Sequence, residues 1–273
     1  MKTIAFSVML IALSIFYLNG QSLSKPEYES KWDVFLDDMD SAHPRSIVMD
    51  MGLAEILPVE GYKWAATLSI ILQQANPDGL PNGDEYNKLV IVEDMISEFS
   101  SGMGLYSYRV ANGGKWDFVC YLEDTTKFRR NCMQIMATLP EYKYTVNIGI
   151  DSRWTLYQHH YPDLYHVEAM GNAAVIWQLK ERGDKLLVAR DVNHYSYFPT
   201  AKNRSLMEKE VMKLGFVIEG KKQEDGPLPY LLIYSRDDKV DQESIDKLTY
   251  ILLDLTLKYG GDYDGWECLV VTD

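Results

Sequence analysis

Cysteine, histidine and positive charge are all scarce in this chain of 273 residues. Three cysteines cannot build a disulfide framework, so stability must come from packed cores. Five histidines leave little material for metal or acid–base chemistry. With 27 basic side chains against 40 acidic ones, the surface repels polyanions. Broad nucleic-acid binding is thereby excluded, because phosphate contacts need clustered Lys and Arg, and a basic partner surface is favoured instead. The standard catalytic and cofactor signatures are missing too: there is no G-x-S-x-G elbow, no H-E-x-x-H and no G-x-x-x-x-G-K-[ST] loop. Gly102-Met103-Gly104 lacks a third glycine and precedes a strand pattern, so it is not a dinucleotide fingerprint.

What is there begins with an apolar segment. Residues 1–20 place Lys2 before a fifteen-residue apolar-dominated run, Ile4–Leu18, followed by Asn19 and Gly20. The run is short for a bilayer span but fits a secretory signal peptide with cleavage near Gly20–Gln21. The expectation is a periplasmic or secreted protein without a transmembrane domain in its mature form.

The rest divides by its periodicities. Trp32–Leu36 and Ser46–Asp50 read as strands. Tyr62–Leu72 alternates with a period of two through Trp64, Ala66, Leu68 and Ile70, a strand. Asn82 with Glu85 forms a capping box before a helix carrying Leu89, Val92, Ile96 and Phe99. Leu105–Val110 and Trp116–Leu122 flank the hairpin signal Asn112-Gly113-Gly114. Thr125 or Asp124 caps a helix with Phe128, Cys132, Ile135 and Met136 on its face, and Tyr142–Ile150 closes a β-α-β-β-α-β order. A helix from Leu164 to Arg182 follows. The same order then recurs through Asp191–Phe198, Thr200–Leu214, Phe216–Lys222, Tyr230–Ser235, a long helix capped by Asp241, and Asp262–Val271. The fold class expected is α+β: two tandem ferredoxin-like plaits, each an antiparallel sheet with helices on one face. The expected domains are the signal peptide 1–20, a first domain 21–151, a linker 152–163 and a second domain 164–273.

Three groups of residues invite chemistry. His159, Asp163 and His166 would share a helical face and suit zinc, yet Asp163 also stands where a helix N-cap belongs, and capping is the favoured reading. Asp262, Asp264 and Glu267 open like a calcium loop, but their spacing is wrong and a turn at Gly265 suffices. Cys120 and Cys132 face one core, where two buried thiols are favoured over a disulfide, and Cys268 is left unpaired. The aromatic strand His194-Tyr195-Ser196-Tyr197-Phe198 combines apolar area with polar tips, a composition that suits an interface.

The segments Asp191–Phe198 and Lys213–Phe216, with the ending Gly260-Gly261-Asp262-Tyr263-Asp264-Gly265-Trp266-Glu267, resemble the bacterial family called regulator of ribonuclease E activity B. The resemblance covers roughly Leu164–Asp273. The first half, from about Trp32 to Ile150, resembles a bacterial domain of unknown function that often precedes such a region, through Trp32, Asp78-Gly79-Leu80-Pro81 and Tyr142-Lys143-Tyr144. What the resemblance implies is a ferredoxin-like, non-catalytic regulator that binds a protein partner, with neither cofactor nor metal. The candidate interaction surface is His194, Tyr195, Tyr197, Asp264, Gly265, Trp266 and Glu267. Export would give this module an envelope partner; a retained amino terminus would make it a cytoplasmic inhibitor of ribonuclease E. A metal-assisted enzyme built on the histidine or carboxylate group is the third reading.

Overall fold

The period-two run that begins the regular part of the sequence lies one strand in from the edge of the first of two antiparallel sheets in a computed structural model that describes residues 26–37 and 42–272. Its strands are β1 (Trp32–Asp37), β2 (Arg45–Asp50), β3 (Trp64–Ile71), β4 (Gly104–Asn112), β5 (Lys115–Leu122) and β6 (Tyr144–Ile150), in the spatial order β1-β2-β4-β5-β3-β6. Helices α1 (Gly83–Ser100) and α2 (Phe128–Met136) cover one face, and α3 (Thr155–His160) follows β6. The second half contains α4 (Leu164–Glu181), β7 (Arg190–Phe198), α5 (Ala201–Lys213), β8 (Val217–Gln223), β9 (Tyr230–Asp238), α6 (Gln242–Lys258) and β10 (Asp262–Cys268). Its sheet runs β10-β7-β9-β8. The architecture is α+β. The signal-peptide expectation for 1–20 lies outside the described residues.

Helix starts follow local chemistry. Asn82 accepts from Glu85 N, Asp163 from His166 N, Thr200 from Asn203 N and Asp241 from Ser244 N, each side chain satisfying a donor that the first helical turn leaves orphaned. Two expectations are corrected here. The capping box at Asn82 is only half made, because the Glu85 carboxylate turns away to accept from Gln73 N and from Gln74 N at 2.9 Å. The residue before α2 is Lys127, without a side-chain cap, since Asp124 spends its carboxylate on the amide and hydroxyl of Thr126.

The first sheet also departs from helices on one face. Ala66, Leu68, Ile70, Trp116, Phe118 and Cys120 pack under α1 and α2. The alternate positions Ala65, Tyr108, Val119 and Tyr121 face a second core, filled by Trp154 and Tyr157 from the aromatic stretch 152–163 and by Leu53 of a 3-10 helix, Met51–Glu55. Trp154 lies flat on Tyr121 with ring centroids 3.8 Å apart and donates to Tyr62 O at 3.0 Å. Burying both faces needs apolar groups at successive positions, which is why β4 and β5 are buried almost throughout.

Asp50, 1% exposed at the end of β2, ties the amino-terminal segment to this sheet. Its carboxylate accepts from Tyr28 Oη and Ser30 Oγ at 2.7 Å, from Lys31 N at 2.8 Å and from Gly52 N at 3.1 Å. The negative charge holds both the tyrosine and serine protons, and burial raises the Tyr28 hydroxyl above its ordinary range.

Asp50→Ala leaves those four donors without their acceptor. Ser30 and Lys31 are exposed and can turn to water, whereas Gly52 is buried and Tyr28 half-buried. At about 1–3 kcal/mol per buried unsatisfied group, urea denaturation should show a loss of roughly 1–3 kcal/mol. A loss below about 1 kcal/mol would show that the segment is not held this way.

Candidate functional site

In β7 burial alternates without exception: Val192, His194, Ser196 and Phe198 point into the core, whereas Asp191, Asn193, Tyr195 and Tyr197 point away from it. Helices α4, α5 and α6 supply the apolar groups that cover the inner face, including Ile176, Met207, Val211, Ile245 and Leu252. None of the outward residues of β7 belongs to this core, although Leu231 and Ser235, their cross-strand partners on β9, are themselves buried.

Strand β10 pairs with β7 through an irregular register. Tyr263 stands opposite Ser196, but the next pair is Trp266 with His194, so one extra residue is accommodated at Asp264-Gly265. Gly265 has φ +91°, a left-handed conformation that a side chain would strain. The bulge brings Tyr263 and Trp266 to the same buried face and sends Asp264 and Glu267 to solvent.

The seven residues expected as one interaction surface therefore separate. His194 and Trp266 are interior; Gly265 shapes the bulge; Tyr195, Tyr197, Asp264 and Glu267 reach the open side. Inside, Trp266 Nε1 donates to Asn172 Oδ1 at 2.6 Å, and Asn172 Nδ2 donates to Asp246 Oδ1 and Thr249 Oγ1 at 2.8 Å. His194 Nδ1 meets Tyr263 Oη at 2.7 Å, while its buried Nε2 has no hydrogen-bond partner. Burial first, then the charge of Arg236, pulls the imidazole down to about 3, so it is neutral at ordinary pH. Glu168 on α4 goes the other way: burial pushes it up to about 7, the Thr249 hydroxyl opposes this and the Asp246 charge adds to it.

Outside, the face is acidic and tyrosine-bearing. Tyr195 Oη donates to Glu267, and Ser235 Oγ donates to Glu219 at 3.0 Å. Asp191 and Asp237 are direct cross-strand partners, both exposed, and neither forms an ion pair among the described residues. Like charges placed opposite one another destabilise a sheet, so this pair costs the isolated chain something. Val217, 62% exposed, and half-buried Ile233 add apolar area to the same face. Asp237, Glu219 and Ile233 carry no local signal, since β9 does not alternate and Glu219 lies on β8; their place on this face depends on long-range strand pairing.

The other candidate groups resolve into structural roles. Asp163 caps α4, and its Oδ1 lies 2.7 Å from His166 Nδ1; His166 Nε2 is 3.5 Å from Asp37 Oδ1. His159 is exposed beside His160 on α3, outside that helix. Among the described residues no three His, Cys, Asp or Glu side chains gather to hold a metal ion. Cys120 and Cys132 are free buried thiols in the first core, and burial pushes Cys132 up to about 12. Cys268 is half-buried and free. No described helix is long and apolar enough to cross a membrane.

Residues 170–268 match the family model described as Regulator of ribonuclease activity B, and residues 30–161 match a family of unknown function, DUF695. The two matches take in the two sheets in turn. No curated protein matches the chain.

Opposite pH dependences follow from His194 and Glu168. For His194 the unfolded state binds the proton between pH 6.5 and about 3, so its contribution is full above 6.5 and is lost on acidification. For Glu168 the folded state binds the proton between 4.5 and about 7, so its contribution is full below 4.5 and is lost as pH rises through 7. Denaturation curves from pH 4.5 to 6.5 should show that Glu168→Gln loses stability on acidification more steeply than the parent, whereas His194→Leu loses it less steeply. Parallel curves for all three proteins would contradict these assignments.

Proposed function

We propose that the chain is an exported, non-enzymatic protein-binding module of the ribonuclease-regulator type, and that the open face of its second sheet receives a basic segment of an envelope protein. The match to Regulator of ribonuclease activity B supports a protein-binding regulator. The observation that carries the choice of face is the unpaired acidic couple Asp191 and Asp237, flanked by Glu219, Glu267 and the two tyrosines. A cationic partner would convert a repulsive pair into an attractive one, and the tyrosines would supply contact area with hydrogen-bonding tips. The net charge of −13 acts in the same direction over longer range. We also read each half as a ferredoxin-like plait. The four strands of each β-α-β-β-α-β run stand in the order fourth, first, third, second, and the β1–β2 hairpin extends the first sheet beyond that unit. Export rests on the composition of residues 1–20 alone.

A cytoplasmic inhibitor of ribonuclease E is the second reading, favoured by the family match over 170–268. The two readings part on where the protein resides and what it captures. Immobilised protein should retain an envelope protein in a salt-sensitive manner, and the double variant Asp191→Lys with Asp237→Lys should release it by at least about tenfold, the loss of one or two desolvated charge contacts. An intact Met1 in the cytoplasm, with inhibition of purified ribonuclease E, would establish the second reading instead. Capture indifferent to the charge reversal would rule out this face.

A further inference from the structure

The second-core side of the first sheet is covered at one end by α3 and the 3-10 helix, and its other end holds an open cavity of about 370 Å³. The sheet register lays out its floor. Ile47, Val110, Asp117 and Ser69 form one row across β2, β4, β5 and β3; the row on one side contains Met49, Tyr108, Val119 and Thr67. On the other side Asn112 pairs with Lys115, and Arg45 lies one residue beyond the Ser46–Ala111 pair. Neighbouring strands stand about 4.8 Å apart and same-face residues about 6.7 Å, so Lys115 and Asp117 are adjacent on the cavity floor.

The chemistry of this cavity is balanced. Asp117 Oδ1 is buried without a hydrogen-bond partner, a state that costs free energy until a donor arrives. Lys115 is exposed and forms no ion pair among the described residues. Arg45 is neutralised by Asp37. His160 stacks on Tyr108 at 4.9 Å, its Nδ1 donates to Leu156 O at 2.8 Å, and burial lowers its pKa. The neutral ring then keeps Nε2 as an acceptor. One uncommitted acceptor carboxylate and one uncommitted ammonium, with Val110, Val119 and Leu156 as apolar lining, disfavour a ligand of single charge.

We propose that this cavity is a binding site for a small zwitterion of the α-amino-acid type, its ammonium on Asp117, its carboxylate on Lys115 and its side chain against Val110, Val119 and Leu156. The volume is at the small end of ligand pockets, which suits a single amino acid. The site is separate from the acidic face of the second sheet, so either can fail without the other.

The test is calorimetric titration of the full chain with each of the twenty L-amino acids at concentrations on the order of 10 mM, wide enough to detect millimolar affinity. At least one should bind saturably at one equivalent. Its N-acetyl and carboxamide derivatives, each lacking one charge, should bind at least about tenfold more weakly, as should the amino acid to Asp117→Asn. Because Lys115 is exposed at a strand end, Lys115→Ala keeps the test open if Asp117→Asn fails to fold, and it too should weaken binding. Absence of binding by all twenty overturns the proposal. So does equal binding by the derivatives, or unchanged affinity in a folded Asp117→Asn or Lys115→Ala protein.

Discussion

The extra residue that β10 accommodates at Asp264-Gly265 decides which side chains of the second half become core and which become surface. Strict alternation from Tyr263 would turn Trp266 to solvent and Glu267 into the core. With the bulge, Trp266 reaches Asn172, and through it the α4–α6 contact at Asp246 and Thr249, while Glu267 comes up beside Tyr195. The helix layer and the tyrosine-bearing face are thus set by one backbone irregularity. A glycine is the residue that can hold its left-handed conformation without strain.

Helix α4 carries this order to the other sheet. Its His166 lies against Phe35 and near Asp37 of β1, its Tyr165 hydroxyl donates to Asp254 of α6 at 2.6 Å, and its Asn172 receives Trp266. The polar groups buried along this path are few and mostly paired, which is what makes them specific. Asp50 does the same in the first half, where a single buried carboxylate gathers four donors from two separate chain segments.

Local patterns made much of this legible from sequence. Period-two alternation marked β3 and β7, and the caps at Asn82, Asp163 and Asp241 followed from side-chain chemistry three residues ahead of a helical stripe. What escaped was non-local. The double-sided burial of β4 and β5 depends on Trp154 and Tyr157, which return from far along the chain to cover the second face. The β10 bulge is invisible in spacing alone, so residues on opposite faces were grouped as one surface. The Asp191–Asp237 opposition exists only once the β7–β9 register is fixed.

The proposed function requires that a partner be received on the open face of the second sheet rather than on the helix layer. Hydroxyl-radical footprinting of the chain with and without its captured partner measures this directly, because both surfaces carry reactive aromatic rings. Protection of Tyr195 and Tyr197 is expected, with Trp177 of α4, 62% exposed on the helix layer, unchanged. Protection of Trp177 with both tyrosines unchanged would contradict it.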